Sequence, residues 1–250
     1  MHPQITILGF KIASYEFFAG LGILAVCMLL VFRMDRIDIS FMKLFGLVLL
    51  SMILILICSR LMYVIGSIPE DGLSFRSVKY NLLHGGIVFY GGMLGVLLSC
   101  VIYAHISHRK KRDMLNFAAP AIPLFHAFAR IGCAFTGCCY GIRFSWGISN
   151  HRLPGETLFP VQIIEVVCNV LIFVGILMAE KKKGTKCHSI EIYLFCYGIC
   201  RFILEFFRGD AIRGIWPDGL STSQHISLVL VVAVVTEFIV IKNGHRPVHD

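Results

Sequence analysis

Apolar runs long enough to cross a membrane dominate this 250-residue chain. A bilayer core about 30 Å thick requires roughly 20 mostly apolar residues per crossing helix. Open sheets cannot satisfy their backbone groups in lipid, and a barrel would show short alternating segments, so such runs predict helices. We therefore expect residues 1–250 to form a single all-α, membrane-embedded domain with seven transmembrane helices. The runs cover about 15–32, 41–66, 87–105, 114–135, 158–179, 190–207 and 222–241.

The composition excludes an ordinary soluble domain. Hydrophobic residues make up 57% of the chain and charged residues 15%, whereas soluble domains average about 45–50% and 25%. The net charge of +8 does not indicate nucleic acid, because basic residues of membrane proteins collect on cytoplasmic loops. We expect no nucleic-acid partner. Residues 1–11 lack the basic start and cleavage site of a secretory signal, so we expect the first run to remain in the mature protein.

Basic residues predict the orientation of the helices. Twenty Lys and Arg residues remain when Arg60, Arg130 and Arg201, which lie within runs, are set aside. Thirteen of them lie between the first and second runs (counting Lys43 at the start of the second), after the third and fifth runs, or in the C-terminal tail, including RKKR (109–112) and KKKGTK (181–186). The positive-inside rule then puts the N-terminus outside and the C-terminus in the cytoplasm. The loops around 67–86, 136–157 and 208–221 fall outside, and long loops of this kind often carry function.

Charged residues inside apolar runs need an explanation, because each costs at least ~2.5–3.5 kcal/mol there. Arg130 and Arg201 are two of them, and Glu205 lies four residues after Arg201 on the same helix face, with Arg208 beyond it. One interpretation is a structural ion pair. The other is an anion site for a phosphate-bearing ligand, because guanidinium groups match phosphate oxygens bidentately.

A carboxylate also lies within the fifth run. Glu165 follows Gln162 by three residues and shares its helix face. A buried carboxylate must be paired or neutral. Glu165 is therefore either a counter-ion for an arginine or an acid–base group.

A repeated Gly-Gly pair precedes and enters the third run, in HGGIVFYGGMLG (84–95). Glycine permits close packing of helices or close approach of backbone to a ligand. The segment is not a phosphate loop, since no Gly-Lys-Ser/Thr follows. His84 and Tyr90 are candidates for a site at the outer surface, beside Gly91 and Gly92.

Three of the ten cysteines are not explained by packing in apolar runs. Cys133, Cys138 and Cys139 flank an outward loop. Zinc is disfavoured because C-x2-C spacing is missing and adjacent cysteines rarely ligate one ion, so we expect no metal. A disulfide is an alternative in an oxidising compartment. A membrane thiol–disulfide protein using these cysteines stays open, as does a transporter, although the paired broken helices of transporters are not found.

Several motifs occur in a fixed order along the chain. They are Tyr15 opening the first run, HGGIVFYGGMLG, ARIGCAFTGCCYG (129–141), FPVQIIE (159–165), YGICRFILEFFR (197–208) and Ser223-Gln224. In this order they resemble the bacterial prolipoprotein diacylglyceryl transferase family. That family carries an opening tyrosine, a double-glycine motif, Arg-Ile-Gly-Asn-Phe-x-Asn-Gly-Glu-x-x-Gly, Pro-Ser-Gln-x-Tyr-Glu, Arg-x-x-x-Glu-x-x-Arg and Gly-Gln.

The resemblance implies an enzyme of the bacterial cytoplasmic membrane that needs no cofactor. It would move the diacylglyceryl group of phosphatidylglycerol, a membrane lipid, onto the lipobox cysteine in a prolipoprotein signal peptide and release glycerol 1-phosphate. Arg130 and Arg201 would hold the phosphate, and Glu205 would orient Arg201. Tyr15 would contact the head group, and Gly141 would let the loop approach the lipid. Further substrate-binding candidates are Glu165, Gln162, Arg208, Gly91 and Gly92.

The chain departs from the family at several signature positions. Cys133 and Cys138 stand where the family has asparagine and glutamate, and Tyr90 where it usually has histidine. His84 or Tyr90 would then act as the base, and a phenol is a poor base at neutral pH. A divergent transferase with another acceptor is therefore an alternative.

These departures leave two routes for the transfer. Either the acceptor thiol attacks the glycerol carbon directly, or a loop thiolate takes the lipid group first. The first route is favoured, because a thioether would be a poor leaving group for a second transfer.

Overall fold

The computed structural model describes residues 4–7, 10–71, 74–86, 88–151, 153–184, 187–210 and 215–244. The chain packs as two compact units, one made of Met1–Val26 with Pro123–Asp250 and the other of Cys27–Ile122. The elements are β1 Gln4–Ile7, β2 Phe10–Ala13, α1 Ser14–Phe32, α2 Phe41–Asp71, α3 Phe75–His84, α4 Phe89–Ile106, α5 Lys111–Ala118, α6 Ala121–Thr136, β3 Arg143–Asn150, β4 Leu153–Leu158, α7 Val161–Lys183, α8 Ser189–Glu205 and α9 Thr222–Gly244.

Membrane-length helices confirm the class of fold. Within the described residues, six helical segments are long and apolar enough to cross a bilayer, and they correspond to six of the seven predicted runs. Exposed leucine, isoleucine, valine and phenylalanine side chains cover their outer faces, as lipid contact requires. The remaining run forms α8, which has 17 residues and is shorter than the other six. The chain is a multi-pass, helical membrane protein.

The fourth run is interrupted, as its prolines predict. Helix α5 ends at Ala118 and α6 begins at Ala121, with Pro120 between them. Proline has no N–H to donate and its ring clashes with the preceding turn, so a continuous helix would be broken there. Pro123 lies in the first turn of α6, where the missing N–H costs nothing.

The segments between and before the apolar runs contain structure that those runs do not predict. Two antiparallel hairpins are present among the described residues, β1 with β2 and β3 with β4, so the expectation of an all-helical chain applies to the membrane-length runs alone. Helix α3 occupies part of the predicted loop 67–86. It begins after Ser74, whose hydroxyl accepts a hydrogen bond from the Ser77 N–H at 3.1 Å, completing a capping box.

The glycines of the double-glycine motif pack α4 against α2 in the second unit. A Cβ on Gly91 would lie 2.6 Å from the Ser59 Cα, and one on Gly95 would lie 2.6 Å from the Ile55 backbone nitrogen. These contacts are with backbone atoms, so the neighbour cannot move aside as a flexible side chain would. The close approach is therefore a packing requirement, which is the first of the two roles expected for this motif.

Substitution of Gly91 tests this packing. Gly91→Ala is expected to destabilise the protein by about 1–3 kcal/mol, the usual cost of overpacking. Gly46→Ala is the control, because a Cβ there meets nothing within 4 Å and alanine favours the helix by up to about 1 kcal/mol. Thermal unfolding in detergent measures both variants. A Gly91→Ala protein that melts at or above the wild-type temperature would refute the packing role.

Candidate active site

Helices α6, α7 and α8 of the first unit bring buried charges together around Glu165. Glu165 Oε2 lies 2.6 Å from Arg130 Nε, and Glu165 Oε1 lies 2.7 Å from Arg201 Nη1. On α8, Arg201 Nη2 lies 2.6 Å from Glu205 Oε2. Glu165 is thus a counter-ion for both arginines, and the pair Arg201–Glu205 forms at the spacing predicted from the sequence.

The ion pairs continue past the end of α8. Arg208 Nη1 lies 3.5 Å from Glu205 Oε2, and Arg208 Nε donates to Asp210 Oδ1 at 2.8 Å. Cations and anions alternate along this series, so their formal charges cancel in surroundings where an unpaired charge would be costly. We call this series the charge network: Arg130, Glu165, Arg201, Glu205, Arg208 and Asp210.

The arginines of α6 and α8 have different surroundings. Arg201 uses Nη1 for Glu165 and Nη2 for Glu205, with Ser223 Oγ 3.4 Å from Nη2. Arg130 makes its contacts through Nε, which reaches Glu165 and also lies 3.1 Å from His126 Nε2. In the part of the chain that the structure describes, neither Nη group of Arg130 has a hydrogen-bond or ion-pair partner. Arg130 therefore retains donors for an anion, although its side chain is only 9% exposed.

A layer of polar residues supports the network: His126, which the sequence indicates as a buried histidine of the bundle and not a ligand, and Asn169 and Tyr197, which sequence reasoning did not single out. The Asn169 side chain donates to the Glu165 carbonyl at 2.8 Å. The buried His126 ring packs edge-on against Tyr197, with centroids 5.1 Å apart. His126, Asn169 and Tyr197 are each four positions from a network residue, which is one helical turn along the same helix. This spacing was the sequence signal that could have identified them.

Three other predicted residues border the network in the first unit. The Gln162 side chain donates to the Cys138 carbonyl at 2.8 Å, so it anchors the loop after α6. Tyr15, in the first turn of α1, packs against Gly132, two residues after Arg130, where an added Cβ would lie 3.1 Å from the Tyr15 Cα. Gly141 pairs with Arg208 through an isolated bridge. A side chain on Gly141 would collide with the backbone of Phe159 and Phe207, which explains glycine there by packing.

The predicted base candidates belong to the second unit. His84, the last residue of α3, is exposed and stacks on Tyr80, with ring centroids 4.7 Å apart. Tyr90 is buried in the first turn of α4. Gly92 follows Gly91 on that helix, and a Cβ there would meet the Ser59 hydroxyl at 3.4 Å.

The loop before α9 contains a separate polar contact outside the apolar segments. Asp218 accepts a hydrogen bond from the Leu220 N–H at 3.1 Å and lies 2.8 Å from His225 Nε2. The backbone hydrogen bond from Leu220, followed by the bond with His225, holds the pKa of the Asp218 carboxyl below its usual value. An ionised Asp218 thus ties this loop to the first turn of α9.

Comparison with known proteins identifies the family. A sequence model of the prolipoprotein diacylglyceryl transferases matches residues 3–240. Phosphatidylglycerol–prolipoprotein diacylglyceryl transferase 2 of Clostridium perfringens is 29% identical over 240 residues, covering 90% of each chain. The transferase of Clostridium tetani is 30% identical over 234 residues, covering 90% of this chain and 91% of the relative. That of Paracidovorax citrulli is 31% identical over 212 residues, covering 80% and 74%.

The match extends from β1 into α9 and so includes every residue of the charge network. The order of the motifs, the membrane-length helices and these similarities agree with one another. The chain belongs to the prolipoprotein diacylglyceryl transferase family.

Proposed function

We propose that this chain transfers the diacylglyceryl group of phosphatidylglycerol to the lipobox cysteine of prolipoproteins at the outer face of the bacterial cytoplasmic membrane. The names of its relatives specify this donor and this class of acceptor. The proposal rests mainly on the contacts of Arg130. Glu165 holds this buried cation through Nε, while both Nη groups lack partners among the described residues. Two Nη groups match two oxygens of a phosphodiester.

The proposed reaction is a displacement at carbon. The acceptor sulfur bonds to the terminal carbon of the diacylglyceryl group, and the bond from that carbon to the phosphate oxygen breaks with both electrons passing to oxygen. Glycerol 1-phosphate leaves, and the thiol proton passes to a base, for which His84 and Tyr90 remain the candidates. Arg130 would stabilise the charge that develops on the leaving phosphate.

The other network residues would position Arg130. Both Nη groups of Arg201 are engaged, one by Glu165 and the other by Glu205. We therefore propose that Arg201 orients Glu165, and that Glu165 in turn orients Arg130. Arg208 would in turn position Glu205, and it is itself held by Asp210. Tyr15 would contact the head group, while Gln162 and Gly141 shape the loop beside it. Gly91 and Gly92 remain proposed substrate contacts from the second unit.

We further propose that α8 is the seventh span, that the N-terminus is outside and that the C-terminus is cytoplasmic, because thirteen of the twenty basic residues other than Arg60, Arg130 and Arg201 lie on one side. A reporter active only in the cytoplasm should function when fused at His245, which is outside the described residues. The same reporter inserted in the loop 136–157 should be inactive. Activity of the loop insertion and silence of the His245 fusion would contradict this orientation.

Modification of a peptide tests the proposed acceptor. The purified protein, supplied with phosphatidylglycerol, should add one diacylglyceryl group to a lipobox peptide that contains cysteine. It should add none to the same peptide with serine in place of cysteine, because the proposed nucleophile is sulfur. Mass spectrometry of the peptide is the readout. Transfer to another membrane component while the cysteine peptide stays unmodified would favour a divergent acceptor.

A further inference from the structure

Three cysteines outside the charge network converge in the first unit. Cys133 is in the last turn of α6, and Cys138 and Cys139 lie in the loop that follows. Their sulfur atoms all lie within 4.8 Å of one another. Sulfurs sharing one zinc ion at about 2.3 Å would be roughly 3.8–4.0 Å apart. Movements of about 1 Å would therefore bring three thiolates into coordination, although the spacing along the sequence argued against zinc.

The backbone of this loop holds the two adjacent cysteines in place. Gly137 and Cys139 have φ of 67° and 55°, in the left-handed region. That conformation is unfavourable for a residue with a side chain, and such residues cluster at functional sites. Two long-range hydrogen bonds fix the loop, from Gln162 to the Cys138 carbonyl at 2.8 Å and from Asn150 to the Gly137 carbonyl at 3.0 Å.

Neighbouring groups suit a site made of thiolates. The Thr136 hydroxyl donates to the Gly132 carbonyl at 3.0 Å and lies 3.3 Å from Cys138 Sγ, so a small rotation of its one hydrogen would let it donate to a thiolate instead. Arg130 lies three residues before Cys133 on α6, so the two side chains share one helix face. Three thiolates and a zinc dication leave one net negative charge, which Arg130 opposes. A disulfide, in contrast, would use two of the three sulfurs and leave the third unexplained.

We propose that Cys133, Cys138 and Cys139 bind one zinc ion, whose fourth position takes the sulfur of the acceptor cysteine. Three protein ligands and one open position are typical of catalytic zinc. This inference rests on the proposed function, and it deepens that function by supplying a means to activate the acceptor.

Transfer of the diacylglyceryl group to a zinc-bound thiolate needs no oxidant or reductant. A thiol that coordinates zinc loses its proton, which passes to a base or to water. The zinc-bound sulfur then forms the bond to the glycerol carbon, and the carbon–oxygen bond to the phosphate breaks. The product is a neutral thioether, a weaker ligand than a thiolate, so it leaves the zinc and the fourth position is free again.

Metal content tests the site independently of activity. The full chain, purified in detergent and equilibrated with Zn²⁺, should contain about one zinc per molecule. Cys138→Ser and Cys139→Ser should each retain less than about a tenth of it, because the ligand set is incomplete. Cys196→Ser, at a half-buried thiol of α8, is the matched control and should keep the metal. Thr136→Val should lower zinc affinity by about 10- to 100-fold while keeping all three ligands.

Several outcomes would overturn the site. One is a wild-type protein that binds no added Zn²⁺ and gives no thiolate-to-metal absorption with Co²⁺. A disulfide among the three cysteines would do the same, as would a diacylglyceryl adduct on one of them after exposure to phosphatidylglycerol, because each removes a ligand. These measurements use the wild-type chain, so they do not depend on a variant folding.

Removal of the metal tests its role and separates it from the proposed function. A chelator should lower thioether formation at least tenfold, and added Zn²⁺ should restore it. Undiminished transfer by zinc-free protein would overturn the acceptor-binding role and leave the proposed function standing. Bound zinc without transfer under any condition would support the metal site and contradict the proposed function.

Discussion

Arg201→Lys is expected to lower turnover by about a hundredfold, the loss that a misplacement of about 1 Å at a catalytic group causes. Arg201 contacts two carboxylates through separate Nη atoms, at 2.7 Å from Glu165 and 2.6 Å from Glu205. An ammonium keeps the charge but lacks the planar fork that spans both. Glu165 would shift, and Arg130 with it. The measurement is the kcat for modification of the lipobox peptide.

The matched control is the same substitution at Arg143, which pairs with Glu156 in the exposed β3–β4 hairpin. Arg143→Lys should leave turnover nearly unchanged, because an exposed pair of this kind contributes about 0–1 kcal/mol. Near-normal turnover in a correctly folded Arg201→Lys protein would mean that the charge network is structural only.

Glu165→Gln is expected to destabilise the protein by about 3–5 kcal/mol, since removing one member of a buried ion pair leaves an uncompensated charge. Here one carboxylate faces two arginines, Arg130 and Arg201, and all three side chains are almost fully buried. The amide has nearly the same shape, so the loss isolates the charge from packing. Unfolding in detergent by heat or denaturant measures the effect.

Glu156→Gln is the control for this substitution and should cost no more than about 1 kcal/mol, because its arginine partner is exposed to water. If Glu165→Gln unfolded at the same temperature or denaturant concentration as the wild-type protein, other groups would have to compensate the charges of the two arginines. Glu165 would then not be their shared counter-ion.

The membrane-length helices were predictable because lipid leaves the backbone little choice. Helix α9 begins at Thr222, where the apolar run begins, and the break at Pro120 follows from the missing N–H of proline. The pair Arg201–Glu205 was predictable from a spacing of four residues on one helix. Each of these inferences depends on local sequence alone.

The remaining features depend on contacts between distant segments. Glu165 pairs with both Arg130 and Arg201 because three helices pack together. No single sequence motif could predict that packing. The convergence of Cys133 with Cys138 and Cys139 requires left-handed backbone in the loop and a hydrogen bond from Gln162, far along the chain. The hairpin β3–β4 was missed because its burial does not alternate regularly and its pairing contains bulges.

In the proposed reaction, the lipid's bond to phosphate breaks in the same event that forms the thioether. Phosphatidylglycerol labelled in its head group, incubated with the purified protein and the cysteine lipobox peptide, should release glycerol phosphate and produce peptide thioether in equal amounts. With the serine peptide, neither product should form, because the displacement needs the acceptor sulfur. Release of glycerol phosphate without the thioether, or at the same rate with the serine peptide, would show a lipid hydrolase and contradict the account.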